Sequence, residues 1–412
     1  MSTWPARSPP ATSPAPYSPS RVIQEADMNN ALHLDQTALF LDLDGTLVPL
    51  AARPDQVLLP ASTAGLLLNL HAACDGAGLE FMARELAQFL DLPRIRIDYE
   101  DQLKPSMGGA YYLPLHTLKL EQAQQLGIEQ PSQLYGGVVP YDFLALKTVA
   151  HPLPQDDMDR PQGWNNELGL ALRHTVLPGY SVFSRNDALR TMSLLDEAGQ
   201  TGIRAKLASG NAGKGQKVIY SRQELEELLN LPQWQSELEH GLVLEENLLD
   251  GETFSIGQTQ VGEHLFSYIG QQRQTSNCQQ ESVYGGTSLL MVRGGFLQLL
   301  KLSGMKRIAH LVEMTMSYEK NISQAFPQLY ASRRNYDLIV GKNARGHYKA
   351  GVLEHSWRFG GASIAEILAI RNLQLHPELQ HTHAWTRERY LDNASSIENS
   401  PHLYSLDQEG EA

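Results

Sequence analysis

The chain has 412 residues, 42% of them hydrophobic and 19% charged, which allows two or three domains with sizeable cores. Its formal net charge is −13, from 46 acidic and 33 basic side chains, and it has no basic stripe, so phosphate-backbone binding to nucleic acid is excluded. No apolar run approaches the roughly 18 residues that span a membrane, and two distant cysteines, Cys74 and Cys278, make neither a disulfide framework nor a metal pair.

Residues 1–30 are rich in Pro and Ser and lack the apolar core of a signal peptide. They read as a disordered tail, and cytoplasm is the expected location. Ala38 to Asp44 is apolar and strand-like and runs into Gly45-Thr46; Thr63 to Cys74 is helix-like. An aspartate at a strand end can attack a phosphoryl group, with a second aspartate two residues on as acid/base. Residues 34–73 resemble the start of a trehalose-6-phosphate phosphatase of the haloacid dehalogenase type. That resemblance implies Asp42 as nucleophile and Asp44 as general acid/base. Only about 40 residues carry it, and the serine or threonine, the lysine and the later carboxylates of that chemistry are missing. The expectation is therefore a truncated, fused and inactive start, with phosphatase action as an alternative.

Across residues 76–176, short helical pieces (Glu80–Leu90, Leu120–Leu126) alternate with strand-like ones (Arg94–Ile97, Ala110–Leu113, Gly137–Pro140), as in a small α/β domain. Beyond it, within 177–375, Asn186–Ala198 reads as a helix and Gly202–Leu207 as a strand. Gln216–Tyr220 is another strand, and Ser221 with Glu224 forms a capping box for the next helix. Leu242–Glu245, Thr253–Thr259, Tyr336–Val340 and Lys349–Glu354 read as strands, and Gly304–Phe326 as a long helix. The tail 376–412 is polar; its histidines, His376, His381 and His383, match no zinc spacing and would not share a face on a helix.

Three constellations carry chemistry. Lys206 ends a strand that runs into Gly210, Gly213 and Gly215, a flap able to bring backbone N–H groups and one point charge to phosphates; a hairpin turn with a surface lysine fits this stretch equally well. Leu242 to Ile256 is an apolar strand ending in Glu245, followed by Leu248 and then Glu252 opening a second strand. The strand-to-loop linker suits the adenine edge and the second carboxylate suits ribose hydroxyls, while two solvated strand-end glutamates fit about as well. Strand alternation places Glu354, Ser356 and Arg358 on one face, with Asp337 on the neighbouring strand. These oxygen groups suit Mg²⁺, and the arginine suits transferring phosphate oxygens.

The order of these pieces resembles the ATP-grasp superfamily. The resemblance implies an α/β (α+β) ATP-grasp fold with a small preceding α/β domain, and ATP and Mg²⁺ as cofactors. It implies Lys206 on the α- and β-phosphates, Glu245 at the hinge, Glu252 on ribose, and Asp337 and Glu354 on metal. Ser356 stands where the family has asparagine. Arg185-Asn-Asp187-Ala188 resembles the family's Asp-Lys helix start, with Ala188 in place of the lysine; Lys147 is the substitute considered. Tyr284-Gly-Gly286 and Arg293-Gly-Gly295 suit an acceptor side, where Arg293 would meet an acyl-phosphate, and plain glycine turns fit them equally well. The phrases LKTVAHPLP, LPGYSVFS, VLEENL, SVYGGTSLLMVRGGF, FPQLYASRRNYD and GVLEHSWRFGGAS are similar to the DUF3182 family over about residues 76–375. The implied activity activates a small-molecule carboxylate as acyl-phosphate for attack by an amine or thiol, with a non-catalytic nucleotide-binding protein as a further alternative. The oligomeric state is left open.

Overall fold

The computed structural model describes residues 76–92, 110–197, 202–210, 215–276, 282–302 and 308–386. The expectations for residues 1–73, including Asp42 and Asp44, lie outside them, as do Cys74, Arg94–Ile97, Gly213 and Cys278. The described chain is mixed α/β, with three sheets.

The first sheet is small. Strand β1 (Leu118–Lys119) pairs in parallel with β2 (Gly137–Val139), and β10 (Tyr330–Ala331) pairs antiparallel to β2. Helix α1 is Gly76–Phe89, and helix α2 (Leu120–Leu126) closes on Gly127, whose φ of 72° is the left-handed conformation that ends a helix cheaply only at glycine. The expected strand Ala110–Leu113 is reduced to a single bridge between Tyr112 and Leu134.

The second sheet is four antiparallel strands in the order β3-β6-β4-β5: Gly179–Val182, Leu242–Glu246, Ile203–Leu207 and Gln216–Ile219. One face packs on α4 (Arg185–Glu197), α5 (Arg222–Leu228) and α6 (Pro232–Glu237), burying Val182, Met192, Ile203, Ile219, Leu225, Trp234 and Leu244 together. Ser221 caps α5 by accepting from Glu224 N (3.2 Å), but Glu224 reaches back to Tyr220 N (3.0 Å) rather than to Ser221 N, so the expected capping box is only half formed.

The third sheet runs β12-β11-β7-β8-β9-β13, antiparallel throughout. Its strands are Tyr348–Ser356, Arg333–Lys342, Leu249–Val261, His264–Ser276, Ser282–Arg293 and His381–Trp385. One face is covered by α8 (Ala309–Ala325) and α3 (Asn166–Leu172), with Ile256, Ile269, Leu311, Tyr318, Tyr336, Leu338, Val352 and Trp357 in one core. Helix α7 (Phe296–Leu299) is short, and α9 (Ser363–Leu375) follows the last long strand in sequence. Two features depart from the sequence-based expectation. The pair β8 and β9 was not expected, nor was β13 in the polar tail. On β13, His381 and His383 do share an exposed face, because two residues are one full period of a strand.

Candidate nucleotide and metal site

The metal end begins with register. β11 and β12 pair so that Asp337 is directly opposite Glu354, with a bulge between Asp337 and Leu338. Like charges facing each other across strands destabilise a sheet. On β12 and beyond it, His355, Trp357 and Phe359 turn inward while Glu354, Ser356 and Arg358 are half-buried on the other face, as alternation predicts. The inward set is tightly fixed: His355 stacks on Trp357 at 4.2 Å, and its two ring nitrogens lie 3.0 Å from Tyr318 OH and 2.7 Å from Leu144 O. Burial pushes the His355 pKa down to about 4, so the ring is neutral.

Asp337 Oδ1 accepts from Ser255 Oγ (2.8 Å) and Asn335 Nδ2 (2.9 Å), and Gln272 Nε2 donates to Ser255 Oγ (2.8 Å). Even so, burial and then the Glu354 charge push its pKa up to about 6. Two half-buried carboxylates opposed across the sheet are hard oxygen ligands of the kind that fit a divalent cation such as Mg²⁺. Ser356 is on the same face, its hydroxyl 3.5 Å from Arg333 Nη1. Arg358 directs one guanidinium nitrogen to the Phe359 carbonyl and lies within 4 Å of where a Gly360 side chain would start.

The cation that does meet this end is Lys147. It lies in a 3₁₀ turn, Lys147–Ala150, and its Nζ is 2.7 Å from Glu354 Oε2 while also donating to the Gly210 carbonyl. Ala188, by contrast, is fully buried in the core of the second sheet with Leu189 and Met192. Position 188 is therefore a core position in this fold, where a lysine would be buried among apolar side chains. Asp187 instead ties down Ser184 Oγ (2.8 Å) and Asp159 N (3.0 Å).

At the base end, Lys206 on β4 and Glu245 on β6 are both buried and paired. His151 Nε2 lies 3.2 Å from the other Glu245 oxygen. Burial works against the Glu245 charge, but Lys206 and His151 outweigh it and hold the carboxyl below its ordinary range. Glu245 is thus turned into the fold. Its neighbour Glu246 takes the opposite face: Oε1 accepts from Asn343 Nδ2 (2.9 Å), and Oε2 is buried without a hydrogen-bond partner. Sequence reasoning missed Glu246, although period-two alternation after Glu245 was the signal that could have found it. Leu248 is buried and meets Gly341, which has no room for a side chain. Glu252 is exposed on β7 opposite Val340. Gly210 follows β4 and Gly215 precedes β5, with Leu207 N donating to Gly215 O (2.8 Å) and Gly215 at φ 69°. The flap's Gly213 lies outside the described residues.

Arg293 is placed elsewhere. Its guanidinium donates to the carbonyls of Leu379 (3.0 Å), His376 (3.5 Å) and Leu373, clamping the C-terminal end of α9. Nε and Nη2 are thus engaged by three backbone carbonyls, and the acyl-phosphate role expected of Arg293 has no counterpart among these contacts.

Fold and site together define a mixed α/β protein in which a small antiparallel sheet bearing a buried lysine accompanies a larger one bearing a carboxylate pair. Residues 69–411 match the family described as "Protein of unknown function (DUF3182)", and the chain belongs to that family. The phosphatase resemblance of residues 34–73 finds no support in this match, which starts at residue 69. No curated protein matches the chain. Among solved structures, the chain is similar to N5-carboxyaminoimidazole synthetase from Staphylococcus aureus complexed with ADP, at 17% identity and TM-score 0.32, over 49% of this chain and 45% of that one. It is also similar to biotin carboxylase in a beta-gamma-ATP complex from Campylobacter jejuni, at 11% identity and TM-score 0.37, over 70% and 52%. A third is D-alanine-D-alanine ligase from Coxiella burnetii, at 9% identity and TM-score 0.30, over 50% and 51%. The chain spans about half the length of these structures. Among the described residues no helix is long and apolar enough to cross a membrane.

Proposed function

We propose that this protein binds ATP with Mg²⁺ in an ATP-grasp arrangement and activates a small-molecule carboxylate as an acyl-phosphate for attack by an amine or thiol. The observation that carries the proposal is the cross-strand pair Asp337 and Glu354, with Lys147 drawn onto it. Two opposed carboxylates are a cost to the sheet unless a cation joins them.

Asp337 and Glu354, with Ser356 beside them, would hold the metal. When bound, Mg²⁺ supplies charge neutralisation on phosphate oxygens and lowers the barrier to phosphoryl transfer. Lys147 and Arg358 supply positive charge at the same end, where charge builds on the transferring group. Lys206, paired with Glu245, is assigned to the α- and β-phosphates. The free oxygen of Glu246 suits the exocyclic amine of adenine, a hydrogen-bond donor, and Glu252 suits ribose. Transfer of the γ-phosphoryl group to a carboxylate oxygen releases ADP; attack by amine or thiol then releases phosphate. Titration calorimetry with Mg²⁺ and ATP tests the site directly. Glu354→Ala is expected to abolish Mg²⁺-dependent ATP binding, and full retention would sink the proposal. ADP formation against a panel of carboxylates and amines identifies the substrates.

A further inference from the structure

Arg333 opens β11, and Glu366 sits in the first turn of α9; they are 1% and 0% exposed. Their contact is two-pronged: Nη2 donates to Glu366 Oε1 at 2.5 Å and Nε to Oε2 at 3.2 Å. Three hydroxyls converge on the same carboxylate, those of Tyr135 (2.8 Å), Thr259 (3.1 Å) and Tyr268 (2.7 Å). Burial opposes the Glu366 charge, but Arg333 and the Tyr268 and Tyr135 hydroxyls hold its carboxyl below the ordinary range.

Stability alone does not call for such a pair, since apolar side chains of similar volume often do as well or better. Apolar replacements could not reach two places that this pair reaches. Arg333 Nη1 donates to the carbonyls of Ser356 (3.2 Å) and Arg358 (2.5 Å), the residues just past Glu354. The Tyr268 hydroxyl stands between Glu366 and Asn335 Oδ1 (2.8 Å), and Asn335 Nδ2 donates to Asp337 Oδ1 (2.9 Å). One buried pair therefore has a hold on both strands of the metal end. It reaches β11 through Tyr268 and Asn335, and β12 through the carbonyls that follow it.

We propose that Arg333 and Glu366 are positioning residues that set the spacing between Asp337 and the Glu354–Arg358 segment, and through it the affinity of the site for metal. The ligand named here rests on the proposed function; the geometry does not. Partners that orient metal ligands are commonly worth about 10–100-fold in metal affinity.

Two variants test this: Tyr268→Phe, which removes one hydroxyl and keeps the packing, and the double Arg333→Met/Glu366→Leu, which keeps volume and removes the pair. Arg371→Met, which breaks the partly buried pair between Arg371 on α9 and Glu85 on α1, is the control. Mn²⁺ binding in the presence of ATP is read by electron paramagnetic resonance, and backbone hydrogen exchange by mass spectrometry. Both test variants are expected to lower Mn²⁺ affinity about 10–100-fold and to speed exchange at residues 335–337 and 356–360, with Arg371→Met doing neither. Wild-type affinity and unchanged exchange in a folded test variant would overturn the inference and leave the pair as packing. If the wild-type protein binds no Mn²⁺ with ATP, the proposed function fails. The exchange pattern then decides the inference alone: local acceleration upholds the positioning role and no change refutes it.

Discussion

Lys147 Nζ lies 2.7 Å from Glu354 Oε2 and donates at the same time to the carbonyl of Gly210. One ammonium group thus joins a 3₁₀ turn, the segment after β4 and the carboxylate pair of the larger sheet. It sets a cation against Glu354, where the proposed site needs positive charge. A charge-assisted hydrogen bond contributes about 1.5–3 kcal/mol, or about 10–100-fold in affinity. Lys147→Met is expected to weaken ATP binding by that factor while the fold, read by circular dichroism, is retained. Unchanged ATP affinity would remove Lys147 from the site.

Asp337 gives a pH dependence with a definite sign. Its folded pKa is raised from 3.8 to about 6 by burial and by Glu354. The protonated form is therefore favoured by folding. About 3 kcal/mol of stability is present below pH 3.8 and is lost as pH rises through about 6. In a chelator, denaturant unfolding between pH 4 and 8 should show this loss for the wild type and not for Asp337→Asn. Adding Mg²⁺ at pH 7 should restore stability to the wild type alone. Parallel curves for the two proteins would show that burial and Glu354 together do not raise the Asp337 pKa.

The sequence motif at the start of α4 suggests placing a lysine at position 188, and the structure argues against it. Ala188 has no exposure and packs among apolar side chains. Ala188→Lys would bury an unpaired ammonium where nothing compensates it, a change on the order of several kcal/mol. A large drop in Tm with no gain in ATP affinity is expected. Tighter ATP binding at normal stability would mean that α4 faces the phosphates after all.

Strand alternation made one local pattern legible: Glu354, Ser356 and Arg358 share the half-buried face expected of them, next to the strand that carries Asp337. It could not reveal that Asp337 faces Glu354 directly, because register depends on the bulge after Asp337, which no local signal marks. The apolar run of β4 and β6 and the Ser221 cap were readable for the same local reason. β8 and β9 were not, since glutamines, threonines and glycines dominate their ends and pairing with β7 supplies what propensity lacks. Lys147 could be considered as a substitute lysine, but its contact with Glu354 depends on tertiary structure, and alternation after Glu245 could mark the opposite face for Glu246 without naming Asn343 as its partner. Arg293 shows the converse, a residue whose type suits phosphate but whose neighbours in space are helix-end carbonyls.

Gly179 offers a test of the base end through packing alone. It pairs with Glu245 across β3 and β6, and a Cβ built on it would lie 2.7 Å from Glu245 Cβ, 2.7 Å from Leu244 O and 2.8 Å from Glu245 Cα. These contacts are too short to survive, and two of the three atoms belong to backbone that cannot swing aside. Gly179→Ala must push β3 and β6 apart, at about 1–3 kcal/mol, and must shift the carboxylate that holds Lys206 and His151. Lower Tm and weaker ATP binding should therefore appear together. Gly346, at the β11–β12 turn, has nothing within 4 Å of its would-be Cβ, and its φ of 77° makes Gly346→Ala a strained substitution too. That variant should lower stability by about 1 kcal/mol without touching ATP affinity. If both variants weaken ATP binding in proportion to their loss of stability, the effect at Gly179 is global, and the placement of Glu245 against Lys206 is not what sets nucleotide affinity.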